Sequence, residues 1–260
     1  MNAATARFGE LVALPEAEIP LGEAAVLIGA HADPGLDVAR QLARLDDLAA
    51  GCPAATLDGL CRHLFDDLGF VGNRGDYRDV RNSYLHEVLD RRTGIPISLS
   101  VVTLEVGRRL GVPLAGVGMP GHFIVRHLGD LPVFLDPFDG GARLTEVGCE
   151  AIYRGLGGTG EWSSAYLDPV GPRAILARML INLQGLFLPG DLRSATWVLR
   201  LRQLIPGMTA GEQVTLARAL GSLGQFDAAG AALEGAAGVA SPEEAERLRA
   251  QARALRARSN

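Results

Sequence analysis

The sequence predicts an α+β protein, with helices at both ends of the chain and a small sheet between them. Three observations carry that expectation. Apolar residues recur at helical spacing from Leu21 to Leu68, two short apolar runs on either side of Gly129 have the pattern of a hairpin, and from Pro172 onward the pattern is helical throughout.

Composition narrows the class. Hydrophobic residues make up 48% of the 260 and charged residues 21%, the balance of a globular chain with a sizeable core in one large domain or two modest ones. Net charge is −5 with no basic run, which argues against nucleic acid and anionic membrane as partners. No run approaches the roughly 20 apolar residues of a membrane span, and Met1 to Glu10 lacks a basic segment leading into an apolar one, so a cytoplasmic protein is expected. The chain contains no Lys, which excludes Schiff-base chemistry by that residue. Cys52, Cys61 and Cys149 have no metal-ligand spacing and leave one thiol unpaired in any disulfide scheme, which fits a reducing compartment; neither metal nor cofactor is expected.

Taken in order, Ala3 to Val12, Leu21 to His31, Leu36 to Ala50 and Ala54 to Leu68 are expected to be helices. The third turns Val38, Leu42 and Leu45 inward and Asp46 and Asp47 to water, and the fourth ends at Gly69. Cys61 shares a face with Leu64, Phe65 and Leu68 and is expected to be buried. These helices carry no polar cluster, so residues 1–70 read as a cap over a central domain. Gly72 to Tyr77 is loop by composition, and Asn82 to Asp90 is expected to be a helix capped by Asn82 or Ser83, with Tyr84, Leu85 and Val88 inward. His86 has no facing second ligand and reads as a packed or surface residue.

The densest pattern lies between residues 82 and 141. Gly94-Ile95-Pro96-Ile97-Ser98-Leu99-Ser100 opens a helix with Pro in its first turn, Leu99, Val102, Val106 and Leu110 form its apolar stripe, and Gly111-Val112-Pro113 ends it. Ser98, and behind it Ser100, thus stand at the positive end of a helix, where a nucleophile or an anion is favoured. Gly121 to Arg126 and Val133 to Asp136 form the hairpin through Leu128-Gly129-Asp130-Leu131. Pairing symmetric about Gly129 sets His122 across from Asp136, with Cβ atoms about 5 Å apart on one face, whereas a one-residue slip would separate them. Asn82, at a helix start, has an amide able to cap or to donate to an oxyanion. His122 and His127 differ by an odd number and face opposite ways, so no metal site with Asp130 is expected. Gly116 to Gly121 lacks the following helix and the Lys of a phosphate loop; its glycines are expected to bring the backbone close to the Pro96 helix.

A helix start followed by His and then Asp on a hairpin is the layout of papain-like and transglutaminase-like folds, and this stretch resembles the SirB1 family of transglutaminase-like proteins. The resemblance rests on Arg81-Asn82-Ser83-Tyr84-Leu85, Glu87-Val88-Leu89, Arg92-Thr93-Gly94-Ile95-Pro96-Ile97-Ser98-Leu99-Ser100, Arg108-Arg109-Leu110-Gly111, Gly116-Val117-Gly118-Met119-Pro120-Gly121-His122-Phe123 and Asp136-Pro137-Phe138. With the flanking helical segments it covers nearly the whole chain. It implies N-terminal helices over residues 1–70 packing on a transglutaminase-like (papain-like) core over 71–170, and an α-helical, tetratricopeptide-like region over 171–260.

In transglutaminase-like enzymes a Cys opens the helix, with His and Asp on the following strands. His122 and Asp136 match the latter two, no Cys lies between Arg62 and Glu146, and Ser98 is the best match for the first, with Ser100 as the alternative nucleophile. A thiol at a helix start beside His ionises near neutrality. A hydroxyl stays protonated and must give its proton to the base, which requires a Ser–His hydrogen bond of about 2.6–3.2 Å. The resemblance leaves two functions open. One is a non-enzymatic protein that binds a peptide or protein partner in the former active-site cleft; the other is a Ser-dependent hydrolase or acyl transferase in which Ser98 attacks, His122 acts as base and Asp136 orients the ring.

Beyond the hairpin, Leu144 to Arg154 is expected to be a helix and Gly155 to Gly160 a connection. The remainder nearly repeats at an offset of 34, with Leu186, Gly190, Leu192, Ala195, Leu199 and Ile205 recurring as Leu220, Gly224, Phe226, Ala229, Leu233 and Val239. That is the period of a tetratricopeptide repeat, and Pro242 to Arg256 suits a terminal capping helix.

Overall fold

The computed structural model describes residues 3–129 and 132–258; Asp130 and Leu131, in the expected hairpin turn, lie outside the described residues. Residues 3–7 and 14–179 form one compact unit, and residues 8–13 with 180–258 form a second.

The N-terminal helices are α1 (Ala3–Ala13), α2 (Leu21–Gly29), α3 (Val38–Ala50) and α4 (Leu57–Cys61). Asp37 caps α3 by accepting from the Arg40 N–H, and the inward residues are Gln41, Leu45 and Ala49, with Val38 and Leu42 only half-buried. The expected fourth helix is shorter than its pattern. It starts at Leu57, behind the Thr56 cap, and continues as a π-helical turn over Arg62–Asp67. Cys61 is correspondingly half-buried rather than buried.

A parallel pair, β1 (Val71–Gly72) with β2 (Thr93–Gly94), brackets a loop, a 3-10 turn (Val80–Ser83) and α5 (Leu85–Arg91). The helix expected from Asn82 therefore begins three residues later. Asn82 lies in the tight turn, and Tyr84 occupies the cap position without a side-chain bond.

The centre of this unit is α6 (Pro96–Leu110), with Pro96 in its first turn and Gly111 in the left-handed conformation at its end. An apolar stripe on one face was expected, yet every residue from Pro96 to Gly107 is buried. The helix is enclosed because α2, α3 and α5 pack on one side and the main sheet on the other. Complete burial of Leu99, Val101, Val102 and Val106 contributes roughly 1.5–3 kcal/mol apiece relative to exposure. Enclosure also buries Glu105, whose carboxylate is held by Arg109 (2.6 Å) and Arg108 (3.3 Å), since a buried charge is tolerated only when paired.

The sheet that covers α6 consists of β3 (Leu114–Val117), β4 (Ile124–His127), β5 (Val133–Asp136), β6 (Ala142–Leu144) and β7 (Pro169–Val170), in the order β6-β5-β4-β3-β7 and antiparallel throughout. Val117, Met119, Ile124 and Phe134 form a cluster with Cys149 and Tyr153 of α7 (Glu146–Gly155) and with Leu167. Leu144, the first residue of the helix expected to run to Arg154, instead ends the strand β6, and Thr145 caps α7 immediately after it. The close approach to α6 comes from the helix side. Gly107 makes room for Leu114, whereas a Cβ at Gly116 would lie 2.9 Å from Phe123.

The last helices are α8 (Pro172–Phe187), α9 (Leu192–Leu204), α10 (Ala210–Ser222), α11 (Phe226–Val239) and α12 (Pro242–Arg256). α9 and α11 begin 34 positions apart, at Leu192 and Phe226. Leu199, Leu216, Leu220, Leu233 and Leu248 form the core of the second unit, and Ala229, Ala232 and Ala236 let α11 approach its neighbours closely. No helix among the described residues is long and apolar enough to cross a membrane.

Candidate functional site

His122 lies in the turn ahead of β4, where Gly121 takes a positive φ of 77° and the His122 N–H donates to the Met119 carbonyl (3.2 Å). Its Nε2 is 2.8 Å from Asp136 Oδ2, and the two side chains are only 9% and 7% exposed. Asp136 Oδ1 accepts from the Phe138 N–H (3.0 Å), which caps the 3-10 turn Pro137–Asp139. A carboxylate only accepts, so Nε2 donates in this pair, and in the neutral imidazole Nδ1 then keeps a lone pair. Among the described residues nothing hydrogen-bonds Nδ1.

The strand register differs from the expected one. Val125 pairs with Leu135, Arg126 with Phe134 and His127 with Val133, which centres the hairpin one position beyond Gly129 and shifts the pairing by two. An even shift returns side chains to the same face, so the imidazole and carboxylate meet diagonally.

Phe138 forms the wall beside the imidazole. Its ring stands edge-on to His122 (6.3 Å between centroids, 87°) and to Tyr77 (5.9 Å, 71°), and the Arg74 guanidinium lies 5.1 Å from its centroid. Arg74 also pairs with Asp139 at 2.6 Å. Gly72 is required here because a Cβ on it would collide with the Phe138 ring.

The other expected site residues build structure instead. Ser98 is fully buried; its Oγ lies 2.6 Å from the Asn82 carbonyl and 3.1 Å from that of Ile95, and it accepts from the Ile95 N–H (3.1 Å). Gly94 leaves space for this oxygen, since a Cβ there would lie 2.6 Å from it. Ser100, also fully buried, donates to the Pro96 carbonyl one turn back (2.8 Å). Neither hydroxyl bonds His122, so the Ser–His contact needed for attack is missing for both. Asn82 likewise has no free amide for an oxyanion. Its Nδ2 donates to the carbonyls of Asp76 (2.8 Å) and Tyr77 (3.3 Å), and its Oδ1 accepts from Asn73 (3.0 Å).

These bonds form a chain of support. The start of α6 holds Asn82 through Ser98, Asn82 shapes the 73–77 loop, and that loop carries Arg74 and Tyr77 to Phe138 beside His122. Arg74 and Tyr77 beside the candidate site are not revealed by the sequence pattern, which reads 72–77 only as loop; Phe138 is signalled only as part of the Asp136-Pro137-Phe138 block.

Cys61 and Cys149 do not take the place of a nucleophilic hydroxyl. Cys149 is pushed up to about 11 by its burial, reinforced by the charges of Asp136 and Glu146, and burial also raises Cys61 to about 11. Neither supplies thiolate at neutral pH. No group of three His, Cys, Asp or Glu among the described residues converges to hold a metal ion.

A buried helix bearing the first site position, followed by an antiparallel sheet that joins His to Asp, defines a transglutaminase-like domain. The chain belongs to the transglutaminase-like superfamily, whose family model matches residues 35–181. It is 44% identical over 152 residues to a UPF0162 protein of Xylella fastidiosa strain Temecula1, covering 56% of this chain and 54% of that one. It is 35% identical over 175 residues to a UPF0162 protein of Pseudomonas aeruginosa, covering 64% of each, and 39% identical over 140 residues to mouse F-box only protein 21, covering 50% of this chain and 21% of that one. The chain spans about half the length of the first of these relatives. No solved structure matches it.

Proposed function

We propose that this chain is a SirB1-family protein that binds a peptide or protein partner beside His122 and Asp136 without catalysing acyl chemistry. On this reading residues 71–170 are the transglutaminase-like core, 1–70 its N-terminal helical cover and 171–260 a tetratricopeptide-like region. The carrying observation is the bonding of Ser98, whose hydroxyl is spent on the Asn82 carbonyl at 2.6 Å in a fully buried position. What stays available is the Nδ1 lone pair of an imidazole oriented by Asp136, an acceptor for a partner's N–H. Tyr77, half exposed beside Phe138, adds apolar contact area. The likeness to part of a longer F-box protein supports a domain that serves as a module.

The test has two arms. The full chain is treated with a fluorophosphonate probe and the adduct mapped by mass spectrometry; no adduct is expected on Ser98 or Ser100, and one on either overturns the reading. A displayed random-peptide library is then selected on the wild type. Enriched peptides are expected to bind His122→Ala at least about tenfold more weakly, the loss of one buried hydrogen bond. No enrichment, or equal binding to both proteins, overturns the reading.

A further inference from the structure

A cavity of about 360 Å³ opens between α3, the π-helical turn and the end of α5, and neither His122 nor Asp136 lines it. Leu48, Leu68, Phe70 and Leu89 form apolar walls, and Arg44 and Arg92 also line it. Apolar walls with a few placed polar groups, at this volume, are the make-up of a small-molecule site.

Two backbone features converge on it. Arg92 is the one non-glycine residue with positive φ (54°) among the described residues, at a helix-end position that ordinarily suits Gly. Such outliers persist where the surroundings hold them, and cluster at ligand sites. The other is the π-helical turn Arg62–Asp67, a rare conformation also frequent at functional sites, which seats the buried His63 with Nε2 3.0 Å from the Leu48 carbonyl.

The side chains are set for an anion. Arg92 Nη1 donates to the Leu68 carbonyl (3.0 Å), which ties the guanidinium to the cavity wall, and no acidic partner meets it among the described residues. Arg44 uses Nη1 on Asp90 (2.7 Å) and Gln41 (2.9 Å), so its other donors remain for a ligand. Asp47 also lines the cavity, one turn from Arg44, so a ligand with a single anionic end meets less repulsion there than one with two.

We propose that this cavity binds a small apolar monocarboxylate, its anionic end accepting from Arg92 and Arg44 and its body resting on Leu48, Leu68, Phe70 and Leu89. The site is independent of the partner-binding reading above. Phenylacetate and its neutral counterpart phenylacetamide, titrated into the full ¹⁵N-labelled chain, test it by NMR. Phenylacetate is expected to shift the amides of Leu48, Gly51, Leu68 and Phe70 saturably, and phenylacetamide to bind at least about tenfold more weakly.

Arg92→Gly is the decisive variant because Gly accepts the positive φ without strain. It is expected to fold with an undiminished melting temperature and to bind phenylacetate about tenfold more weakly, while His122→Ala binds it as the wild type does. No saturable shift at those amides, equal binding of acid and amide, or unchanged binding by Arg92→Gly overturns the proposal.

Discussion

His122 and Asp136 hydrogen-bond across a two-residue offset. Continuing the β4–β5 register sets Ile124 opposite Asp136, and His122 reaches the carboxylate from the turn beyond the strand end. Asp136 thereby serves two donors, the imidazole and the Phe138 N–H. Asp136→Ala leaves both without an acceptor and is expected to lower stability by about 1–3 kcal/mol, measured by urea denaturation. Asp136→Asn retains an oxygen for the turn and should lose less; equal losses would count against the shared-acceptor account.

Ser98 and Ser100 look alike in the sequence and differ in what they hold. Ser98→Ala removes the short bond to the Asn82 carbonyl and leaves that carbonyl and the Ile95 N–H only their long mutual contact at 3.4 Å, and about 1–3 kcal/mol should be lost on denaturation. Ser100 bonds a carbonyl already within the helix, an arrangement that adds little to helix stability, so Ser100→Ala should cost less than 1 kcal/mol or so. A larger loss for Ser100→Ala would contradict this ranking.

The thiols should react unequally. Cys61 and Cys149 are raised from 9.0 to about 11, so at pH 7.5 Cys52 is expected to react quickly with Ellman's reagent in the native protein, and all three thiols in guanidinium. A folded-state value above the unfolded one means the native chain holds these protons longer. Their contribution to stability is therefore complete below pH 9.0 and declines as pH rises from there toward 11. Two fast native thiols would refute the assignment.

His86 supplies the opposite sign. It is buried beside Gly29 with Nδ1 lacking a hydrogen bond, and its burial, together with the Arg44 charge, outweighs Glu87, Asp33 and Asp90 and lowers it below 6.5. The unfolded chain then takes up its proton first, so stability falls as pH drops through 6.5 and below. His86→Gln should flatten that decline in urea titrations between pH 7.5 and 5, with His31, also lowered by burial, retaining part of it. An unchanged slope would exclude His86 as a contributor.

Arg202 is buried with Nη1 unpaired and the Glu212 carboxylate 3.8 Å away, and desolvation lowers its pKa. Arg202→Met keeps much of the shape without the charge and is expected to raise the melting temperature of the full chain. A lower melting temperature would mean the guanidinium is net stabilising.

Much of the fold was legible because its cues are local. Pro96 and Gly111 mark the ends of α6, and the repeat of Leu192 at Phe226 marks two helix starts. What sequence missed depends on distant contacts. The enclosure of α6 requires elements from both ends of its unit, and the late start of α5 reflects the bonding of Asn82 to the Asp76 and Tyr77 carbonyls, partners that helix propensity ignores. For the site, pattern parity was enough to bring His122 to the face of Asp136 despite the wrong register. It was not enough for Ser98, because whether a hydroxyl faces an imidazole or a carbonyl depends on a loop sixteen residues upstream.

That loop attachment bears on any attempt to install a nucleophile. Exchanging the Ser98 oxygen for sulfur, as in Ser98→Cys, would replace a strong rivet with a longer and weaker one, and the 73–82 segment, which sets Arg74 and Tyr77 against Phe138, would loosen as the reactive atom arrived. Engineering hydrolysis into this scaffold therefore calls for a redesigned fastening of that segment before the new side chain is introduced.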